Sequence, residues 1–378
     1  GQLYSINTVG AILGALLSGF VLIRYLDMDG TMFVLSCVSI VMAIVLTLNI
    51  PATDPVHRYF VVGLAIAVVV VLFVKFPFDA QFQQVEPGKQ RIIFYEEGPL
   101  ATVAVTQNPI GEKELRVDNV GVAGTDPILL TDQKSLAHVP MLFLDDPDDA
   151  LTVGFGSGGA SWSYLQYDNL RKLDCVEICK TVVMAAPALQ ESNGRLLVRP
   201  DNRYHLIFDD VRSFLRFTPN RYDVIATDCT DLRYKTNANL YDYEYFTLCR
   251  DRLTSQGMVV VWMPLGGLSH ETFLLALRTF YKVFPDFAVW YMNNEPTHYI
   301  LLVGTVAPLK VDYAEMRRRL QEPDVAQDLA IVNLADADKI LSCYLTDSEA
   351  LAAELEGDRI NTENFPYLEF ESPLYGYS

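Results

Sequence analysis

The chain has 378 residues, of which 51% are hydrophobic, and its formal net charge at pH 7 is -18. That acidity excludes the basic footprint of a nucleic-acid-binding protein, whereas a polycationic substrate or an acidic soluble surface fits it equally well. The length allows one membrane part and one sizeable soluble domain. The 6 cysteines form no CxxC pair and the 5 histidines show no paired spacing, so the sequence predicts no metal site.

Three uncharged and strongly apolar segments lie within the first 76 residues, at 6–23, 32–50 and 59–74. Each approaches the roughly 20 residues with which a helix crosses a bilayer. We therefore predict three transmembrane helices within residues 1–76. A signal peptide and buried core helices are the alternatives, and three successive segments without a small-residue cleavage pattern favour the membrane interpretation.

Small residues mark one face of the first predicted helix. Gly10, Gly14 and Ser18 are spaced four apart, which lets a second helix approach closely. Packing among the three helices explains this face, and further membrane helices or membrane subunits are the other partners that it suits. Three spans would put the first residue and the soluble domain on opposite sides of the membrane.

A linker at 77–90 is predicted from its prolines and glycine, and a β-rich segment follows it. Apolar runs at 92–105 and 115–122, separated by glycine-containing turns, indicate short strands. We assign residues 91–144 to a small N-terminal β domain.

The segment 150–159 combines an apolar run with a cluster of glycines, and a helix is expected at 160–170. This order is typical of a buried strand, a tight turn and a helix whose first amides face a ligand. The glycines Gly154, Gly156 and Gly158 let the backbone come close to that ligand because they lack a Cβ atom. A glycine-rich turn alone is a weak signal of a nucleotide or nucleoside site.

Three further strands are predicted after this turn, at 173–178, 204–208 and 222–227. Strands alternate with helical stretches, which indicates a parallel, doubly wound α/β sheet. The carboxyl ends of such strands form the ligand-binding edge. Acidic residues stand at these ends, namely Glu177, Asp209, Asp210, Asp228 and Asp231.

A ring of carboxylates discriminates between ligands. The pyrophosphate of a dinucleotide prefers amides and cations, which disfavours a dehydrogenase. A positively charged sulfonium nucleoside, S-adenosylmethionine or its decarboxylated form, suits the acidic edge better. Glu177 would bind the ribose hydroxyls and Asp210 the exocyclic amine of adenine. Asp228 and Asp231 would then face the reacting centre, which suits an amine substrate.

Four more elements complete the predicted sheet and cover it: a fifth strand, an amphipathic helix and two antiparallel strands, at 258–263, 271–283, 287–292 and 299–303. The patterning of residues 308–356 predicts helices. We assign residues 145–306 to the catalytic domain and residues 307–378 to a C-terminal helical extension and tail.

Residues 91–305 resemble the spermidine synthase family of aminopropyltransferases. The resemblance is carried by Ala137-His-Val-Pro140, the glycine turn, Glu177, Asp210 and Asp228-Cys-Thr-Asp231, in the family's order. The apolar N-terminal segments are similar to those of bacterial members in which a transporter-like bundle is fused to the synthase-like domain. The resemblance implies a Rossmann-like, methyltransferase-type fold preceded by transmembrane helices.

The family resemblance also implies the site residues. Asp228 would be the catalytic aspartate and Asp231 would hold the acceptor amine. Gln133 stands where the family has a histidine, and Ser157 stands where it has an aspartate. We predict that Gln133, Ser157 and Tyr241 contact the substrate, and that Asp209 joins Asp210, Glu177 and the glycines in binding the cosubstrate.

The sequence therefore predicts a membrane-anchored aminopropyltransferase. It would move an aminopropyl group from decarboxylated S-adenosylmethionine to a putrescine-like amine, without a metal. A methyltransferase using S-adenosylmethionine and an inactive subunit of a membrane complex are the alternatives. We predict a multi-pass protein of the plasma membrane that contacts the lipid bilayer. Its soluble domain would lie in the cytoplasm, where the cosubstrate is made. A homodimer is compatible with this arrangement.

Overall fold

A computed structural model describes most of the chain. The described residues are 1–49, 59–60, 62–64, 66–68, 90–199, 201–228, 232, 237–295, 297 and 299–375. The chain divides into two compact units. The first comprises Gly1–Gly111 and Val117–Asn119, and the second comprises Glu112–Arg116 and Val120–Ser378.

The first unit begins with one uninterrupted helical run. Helix α1 (Gln2–Leu17) passes into a π-helical turn (Ser18–Leu22) and then into α2 (Ile23–Asn49). Both junction residues, Ser18 and Ile23, keep right-handed helical backbone angles. No proline occurs in this run to end the helix. At 1.5 Å per residue the run extends about 70 Å.

Two stretches of this run, Tyr4–Leu22 and Gly30–Thr47, are long and apolar enough to cross a membrane, with mean hydropathies of 1.8 and 2.3. Only 0% and 6% of their residues are buried, which is the opposite of a core helix in a soluble domain. These stretches coincide with the first two predicted spans. The third predicted span, 59–74, and the linker, 77–90, lie largely outside the described residues.

Short strands occupy the segment that was predicted to be β-rich. They are β1 (Arg91–Glu97), β2 (Thr102–Gln107), β3 (Lys113–Val117) and β4 (Val120–Gly124). In the first unit, β1 and β2 pair in antiparallel fashion. Asp118 and Asn119 adopt positive φ angles of 49° and 67°, which these two residue types tolerate better than most in a tight turn between strands.

A mixed sheet organises the second unit. In chain order its strands are β5 (Asp149–Val153), β6 (Lys172–Glu177), β7 (Tyr204–Phe208), β8 (Tyr222–Thr227), β9 (Leu253–Pro264), β10 (Phe287–Trp290), β11 (Tyr299–Thr305) and β12 (Tyr344–Asp347). Their order across the sheet is β12-β10-β11-β9-β8-β5-β6-β7. Leu151, Ile225 and Val259, in three adjacent central strands, are fully buried.

Strand direction locates the ligand-binding edge of this sheet. Strands β5 to β9 pair in parallel, whereas β10, β11 and β12 pair in antiparallel fashion. The chain leaves β5 towards β6 on one side and returns to β8 on the other side. The strand order therefore reverses between β5 and β8, and ligands bind at the carboxyl ends of strands beside such a switch point. The predicted doubly wound α/β fold is confirmed.

Helices connect and cover the strands. They are α3 (Pro127–Phe143), α4 (Gly159–Tyr164), α5 (Lys180–Met184), α6 (Gln190–Asn193), α7 (Val211–Phe217), α8 (Tyr243–Arg252), α9 (His270–Val283), α10 (Tyr313–Arg319), α11 (Pro323–Ala330), α12 (Ala337–Ser342) and α13 (Tyr367–Glu371). The side chain before the helix accepts hydrogen bonds from its first amides in α3, α7, α8, α9, α10 and α12.

The helix after the glycine turn is shorter than the sequence predicted. It ends at Tyr164 rather than at residue 170. The Arg203 guanidinium explains the early end, because it donates hydrogen bonds of 2.8 Å to the carbonyl oxygens of Leu165 and Tyr167. A cation at these positions satisfies carbonyls that a longer helix would have used internally.

Helix α3 and strand β12 were not predicted. Helix α3 has readable signals, since Pro127 occupies its first turn and Asp126 accepts hydrogen bonds from the amides of Ile128 and Leu129 at 3.0 and 3.1 Å. Strand β12 lies in a segment that was predicted to be helical. It pairs with β10 at the edge of the sheet, and such long-range pairing is not encoded in local periodicity.

Candidate active site

The glycine turn lies at the switch point, immediately after β5. Gly154, Gly156 and Gly158 have φ angles of 91°, 54° and 85°, in the region that residues with a Cβ atom rarely adopt. A Cβ on Gly154 would lie 3.1 Å from the carbonyl oxygen of Asp228. Glycine at these positions therefore allows both the turn and its close approach to Asp228, the residue after the adjacent strand β8.

Strand register brings Asp228 to this turn. Val153 and Thr227 are partners in the β5–β8 pairing, and the Asp228 amide donates to the Val153 carbonyl at 3.2 Å. A Cβ on Gly156 would be 3.7 Å from Asp228 Oδ2. The predicted glycine turn and the predicted catalytic aspartate are thus neighbours.

Glu177, at the end of β6, binds the turn directly. Its Oε2 accepts a hydrogen bond of 2.8 Å from the Phe155 amide, and its Oε1 accepts one of 2.6 Å from the Cys179 amide. Burial raises the pKa of this carboxyl, and these backbone hydrogen bonds oppose the rise. A carboxylate oxygen has two lone pairs, so Glu177 can also accept a hydrogen bond from a ligand hydroxyl.

The Asp228 carboxyl has an unusual environment. The residue keeps partial solvent exposure, yet protein atoms surround its carboxyl. Burial, followed by the negative charge of Glu177, raises its pKa to about 7. Among the described residues, no hydrogen bond satisfies this carboxyl. An acid with a pKa near 7 is suited to accept a proton from a reacting group at neutral pH.

Asp209 and Asp210 follow β7, the strand next to β6. Asp210 Oδ1 accepts a hydrogen bond of 2.9 Å from the Ser213 amide and so caps α7, while Asp209 Oδ1 accepts one of 2.8 Å from the Asp210 amide. Both residues therefore stand at the carboxyl edge of the sheet, as predicted. Asp210 Oδ2 makes none of these capping contacts, so it is available to an adenine amine.

Gln133 and Ser157 are bonded to each other. The Ser157 hydroxyl donates to Gln133 Oε1, and Gln133 Nε2 donates to the carbonyl oxygens of Leu129 and Gly124 at 2.9 and 3.3 Å. Their exposed fractions are 3% and 1%. These two side chains tie the glycine turn to α3, and contact of either one with a substrate stays a prediction.

Tyr241 is also buried. Its hydroxyl donates to the Trp262 carbonyl at 2.5 Å, and its ring meets that of Phe246 edge-on at 6.4 Å between centroids. Its predicted contact with the substrate stays a prediction. Asp231, the second acid predicted for the amine, lies outside the described residues.

Asp132 was not among the predicted site residues, although it lies close enough to Asp228 for their charges to interact. It lies on α3 beside Gln133, is 7% exposed, and its Oδ1 has no hydrogen-bond partner within the described part of the chain. Burial and then the negative charge of Asp228 raise its pKa well above the usual range, while a hydrogen bond from the Trp262 side chain opposes the rise. The one feature of the sequence that pointed to Asp132 was its position next to Gln133, a predicted substrate-binding residue.

Helix α3 is held in place by a buried polar network. The Asp328 carboxylate on α11 accepts hydrogen bonds from Lys134 Nζ at 2.5 Å, from His138 Nε2 at 2.9 Å and from the Ser163 hydroxyl at 2.6 Å. Burial lowers the pKa of His138. The neutral ring then donates to Asp328 and accepts at Nδ1 from the Tyr167 hydroxyl, 2.8 Å away. The network orients the helix that carries Asp132.

Known proteins similar in sequence to this chain are polyamine aminopropyltransferases. Residues 130–307 match the family described as the spermine/spermidine synthase domain. The polyamine aminopropyltransferase of Buchnera aphidicola subsp. Acyrthosiphon pisum is 24% identical over 210 residues, which are 56% of this chain and 72% of that protein. The enzyme of the same name from Thermotoga maritima is 27% identical over 219 residues, which are 55% and 70% of the two chains.

Solved structures are similar in fold. The structure of spermidine synthase from Thermotoga maritima matches with a TM-score of 0.56 and 20% identity, over 70% of this chain and 87% of that one. A probable spermidine synthase from Corynebacterium glutamicum matches with a TM-score of 0.52 and 15% identity, over 72% and 97% of the two chains. The sequence matches show a transferase with a spermine/spermidine synthase domain at residues 130–307, and the solved structures show that the fold is shared.

Proposed function

We propose that this chain is an aminopropyltransferase. It moves an aminopropyl group from decarboxylated S-adenosylmethionine to a putrescine-like amine and releases methylthioadenosine. The observation that carries the proposal is the Asp228 carboxyl, which lies beside the glycine turn without a hydrogen bond from the described residues and has a pKa of about 7. The likeness to polyamine aminopropyltransferases supports the same reaction.

The reaction would be an in-line displacement. The lone pair of the amine attacks the carbon beside the sulfonium, the new C–N bond forms as the C–S bond breaks, and the electron pair of that bond goes to sulfur. A free primary amine is protonated at neutral pH, so Asp228 aims the nitrogen and accepts one proton from it, directly or through water, which frees the lone pair for attack. The secondary ammonium product keeps its remaining protons, and the proton on Asp228 passes to solvent. Holding both reactants in line supplies a further several kcal/mol, about 7 in favourable cases.

Other residues would bind the nucleoside. The second lone pairs of Glu177 can accept the ribose hydroxyls while its first lone pairs hold the amides of Phe155 and Cys179. Asp210 Oδ2 would accept the adenine amine. The positive-φ glycines give the turn its conformation and let it pack closely against Asp228.

We also propose that the N-terminal helical run anchors the chain in the plasma membrane. The support is the presence of two apolar stretches, Tyr4–Leu22 and Gly30–Thr47, that are almost unburied. A cytoplasmic catalytic domain would have direct access to its nucleoside cosubstrate.

Mass spectrometry of the reaction products tests the catalytic proposal. The purified chain is incubated with decarboxylated or carboxylated S-adenosylmethionine and a panel of aliphatic diamines. We expect an aminopropylated diamine and methylthioadenosine from the decarboxylated cosubstrate alone. Methylation from the carboxylated form would identify a methyltransferase instead. No product, together with no change of melting temperature on adding methylthioadenosine, would identify an inactive subunit.

A further inference from the structure

Asp132 differs from its neighbours on α3 because one oxygen of its carboxyl makes no hydrogen bond within the described residues. Gln133 bonds Ser157, and Lys134 forms a buried ion pair with Asp328. Asp132 Oδ1 is as buried as these groups, yet it has no hydrogen-bond partner among the residues that the structure describes. A buried acceptor without a donor is costly by about 1–3 kcal/mol, and more when it is charged.

The groups around Asp132 do not neutralise it. The negative charges of Asp228 and Asp126 raise the pKa of this carboxyl, and within the described residues a hydrogen bond from the Trp262 side chain opposes the rise. Trp262 itself is stacked on Tyr299 with 5.5 Å between ring centroids, which fixes the direction of its indole. Asp132 and Asp228 therefore lie close enough for their charges to interact, and no basic side chain of the described residues acts on Asp132.

The unpartnered oxygen of Asp132 limits which chemical groups could bind it. The free Oδ1 needs an N–H or O–H donor, so the sulfonium centre of the nucleoside, which has no such hydrogen, cannot satisfy it. A primary alkylammonium group has three N–H donors and a positive charge. It can donate to two facing carboxylates at once, and such charge-assisted hydrogen bonds are about twice as strong as neutral ones.

We propose that Asp132 is a substrate-binding residue that, together with Asp228, binds a primary alkylammonium group of a reactant. This inference rests on the proposed function and deepens it. The ammonium belongs either to the acceptor amine or to the aminopropyl arm of the donor nucleoside, which share the same chemistry. Asp132 thus makes the site selective for cationic aliphatic amines over neutral ligands of the same shape.

The test compares Asp132→Asn with Asp126→Asn. Asparagine keeps the shape of Asp132 but loses its charge. Asp126→Asn removes the same unit of charge from the start of the same helix, and asparagine preserves the cap on Ile128 and Leu129. Steady-state kinetics give KM for the diamine and for decarboxylated S-adenosylmethionine. Calorimetry gives the Kd of methylthioadenosine, which lacks the aminopropyl arm, and the Kd of the diamine for the chain saturated with methylthioadenosine.

We expect Asp132→Asn to raise one of the two KM values by about 10- to 100-fold, the loss of one charged hydrogen bond. A rise for the diamine assigns the acceptor, and a rise for the donor with an unchanged methylthioadenosine Kd assigns the aminopropyl arm. The Asp126→Asn control should change each value by less than twofold. If Asp132→Asn leaves both KM values unchanged, the proposal is wrong.

Stability provides a second measurement. Removing an unpartnered buried acid breaks no favourable ion pair, so the melting temperature of Asp132→Asn should equal or exceed that of the unchanged protein. A lower melting temperature with both KM values unchanged would assign Asp132 a structural role and overturn the proposal. Asp132→Ser is a second variant should the asparagine protein fail to fold. Diamine binding that is weakened by Asp132→Asn in a chain without transferase activity would refute the proposed reaction but support this inference.

Discussion

Asp228 combines the properties required of a proton acceptor for an amine nucleophile. It lies at the end of a central strand, its carboxyl is enclosed by protein, and Glu177 provides a second negative charge nearby. Those two influences act in the same direction, since both disfavour the charged form of the acid. A carboxyl with an ordinary pKa would be a much weaker base at neutral pH.

Asp228→Asn is expected to lower kcat by about 10²–10⁴-fold, because asparagine can accept a hydrogen bond but cannot accept the proton. The Kd of methylthioadenosine should stay within about twofold, since Asp228 is placed at the reacting centre rather than on the nucleoside. Kinetics and calorimetry on the same preparation check both values. Retained transfer in this variant would contradict the assigned role of Asp228.

Glu177→Gln, unlike Asp228→Asn, should weaken nucleoside binding. The glutamine amide places a donor where the carboxylate accepts from the amides of Phe155 and Cys179, so the turn loses one of its supports. We expect the Kd of methylthioadenosine to rise about tenfold, the equivalent of one hydrogen bond. Unchanged nucleoside affinity, measured by calorimetry, would remove Glu177 from the binding site.

The raised pKa of Asp228 also predicts a dependence of stability on pH. An acid whose folded pKa is about 7, against an unfolded value of about 4, binds its proton more tightly when folded. Between these two values the protein therefore loses stability as the pH rises. Relative to the unchanged chain, Asp228→Asn should be more stable at pH 8 by up to a few kcal/mol, since one pKa unit is worth about 1.4 kcal/mol. Denaturant unfolding at pH 8 and pH 4 measures the free energy of unfolding of both proteins. If Asp228→Asn is more stable than the unchanged chain by the same amount at both pH values, the prediction is wrong.

At the scale of elements, the site depends on how α3 is held against α11 and the glycine turn. Asp328 on α11 is bonded to two side chains of α3, Lys134 and His138. Burial raises the pKa of Asp328, but hydrogen bonds from these two groups outweigh it and hold the pKa well below the usual range. A residue from the C-terminal extension thus orients the helix that presents Asp132.

Asp328→Ala should lower the free energy of unfolding by about 3–5 kcal/mol, because it leaves Lys134 buried without a counter-charge. Asp324→Asn, which changes an exposed acid at the start of the same helix, is the matched control and should cost less than about 1 kcal/mol. Urea unfolding of the two variants at pH 7 makes the comparison. Equal losses would show that the buried network does not stabilise α3.

At the scale of the whole molecule, composition divides the chain into two parts. The helical run at 2–49 exposes large apolar side chains such as Leu13, Leu16, Val41 and Val45. The remaining chain carries most of the charged residues. A net charge of -18 favours the approach of a polycation, and this long-range attraction weakens as salt screens it.

The N-terminal run should retain the chain in membranes. After expression in a bacterium, we expect the protein in the membrane pellet after an alkaline wash, and in solution only after detergent is added. The control replaces Leu13, Leu16, Val41 and Val45 with arginine, each of which costs about 2.5–3.5 kcal/mol at the centre of a spanning helix. Recovery of the unchanged chain in the soluble fraction would refute membrane anchoring.

The sequence by itself determined the parallel sheet, the glycine turn and the acidic strand ends. These features follow from local patterns, namely apolar runs, glycines and the residues that end each run. The predicted strands at 204–208 and 222–227 have the bounds found in the structure. Because parallel strands end at one edge, the nearness of Glu177 and Asp228 could be inferred without coordinates.

Only the tertiary structure decided how the side chains near this edge are used. Gln133 and Ser157, 24 residues apart, bond each other, whereas Asp132, the neighbour of Gln133, has an unpartnered oxygen near Asp228. Strand β12 likewise depends on pairing with β10. The physical reason is that burial, charge interaction and hydrogen bonding depend on distances in space between residues far apart in the chain, which local sequence patterns do not contain.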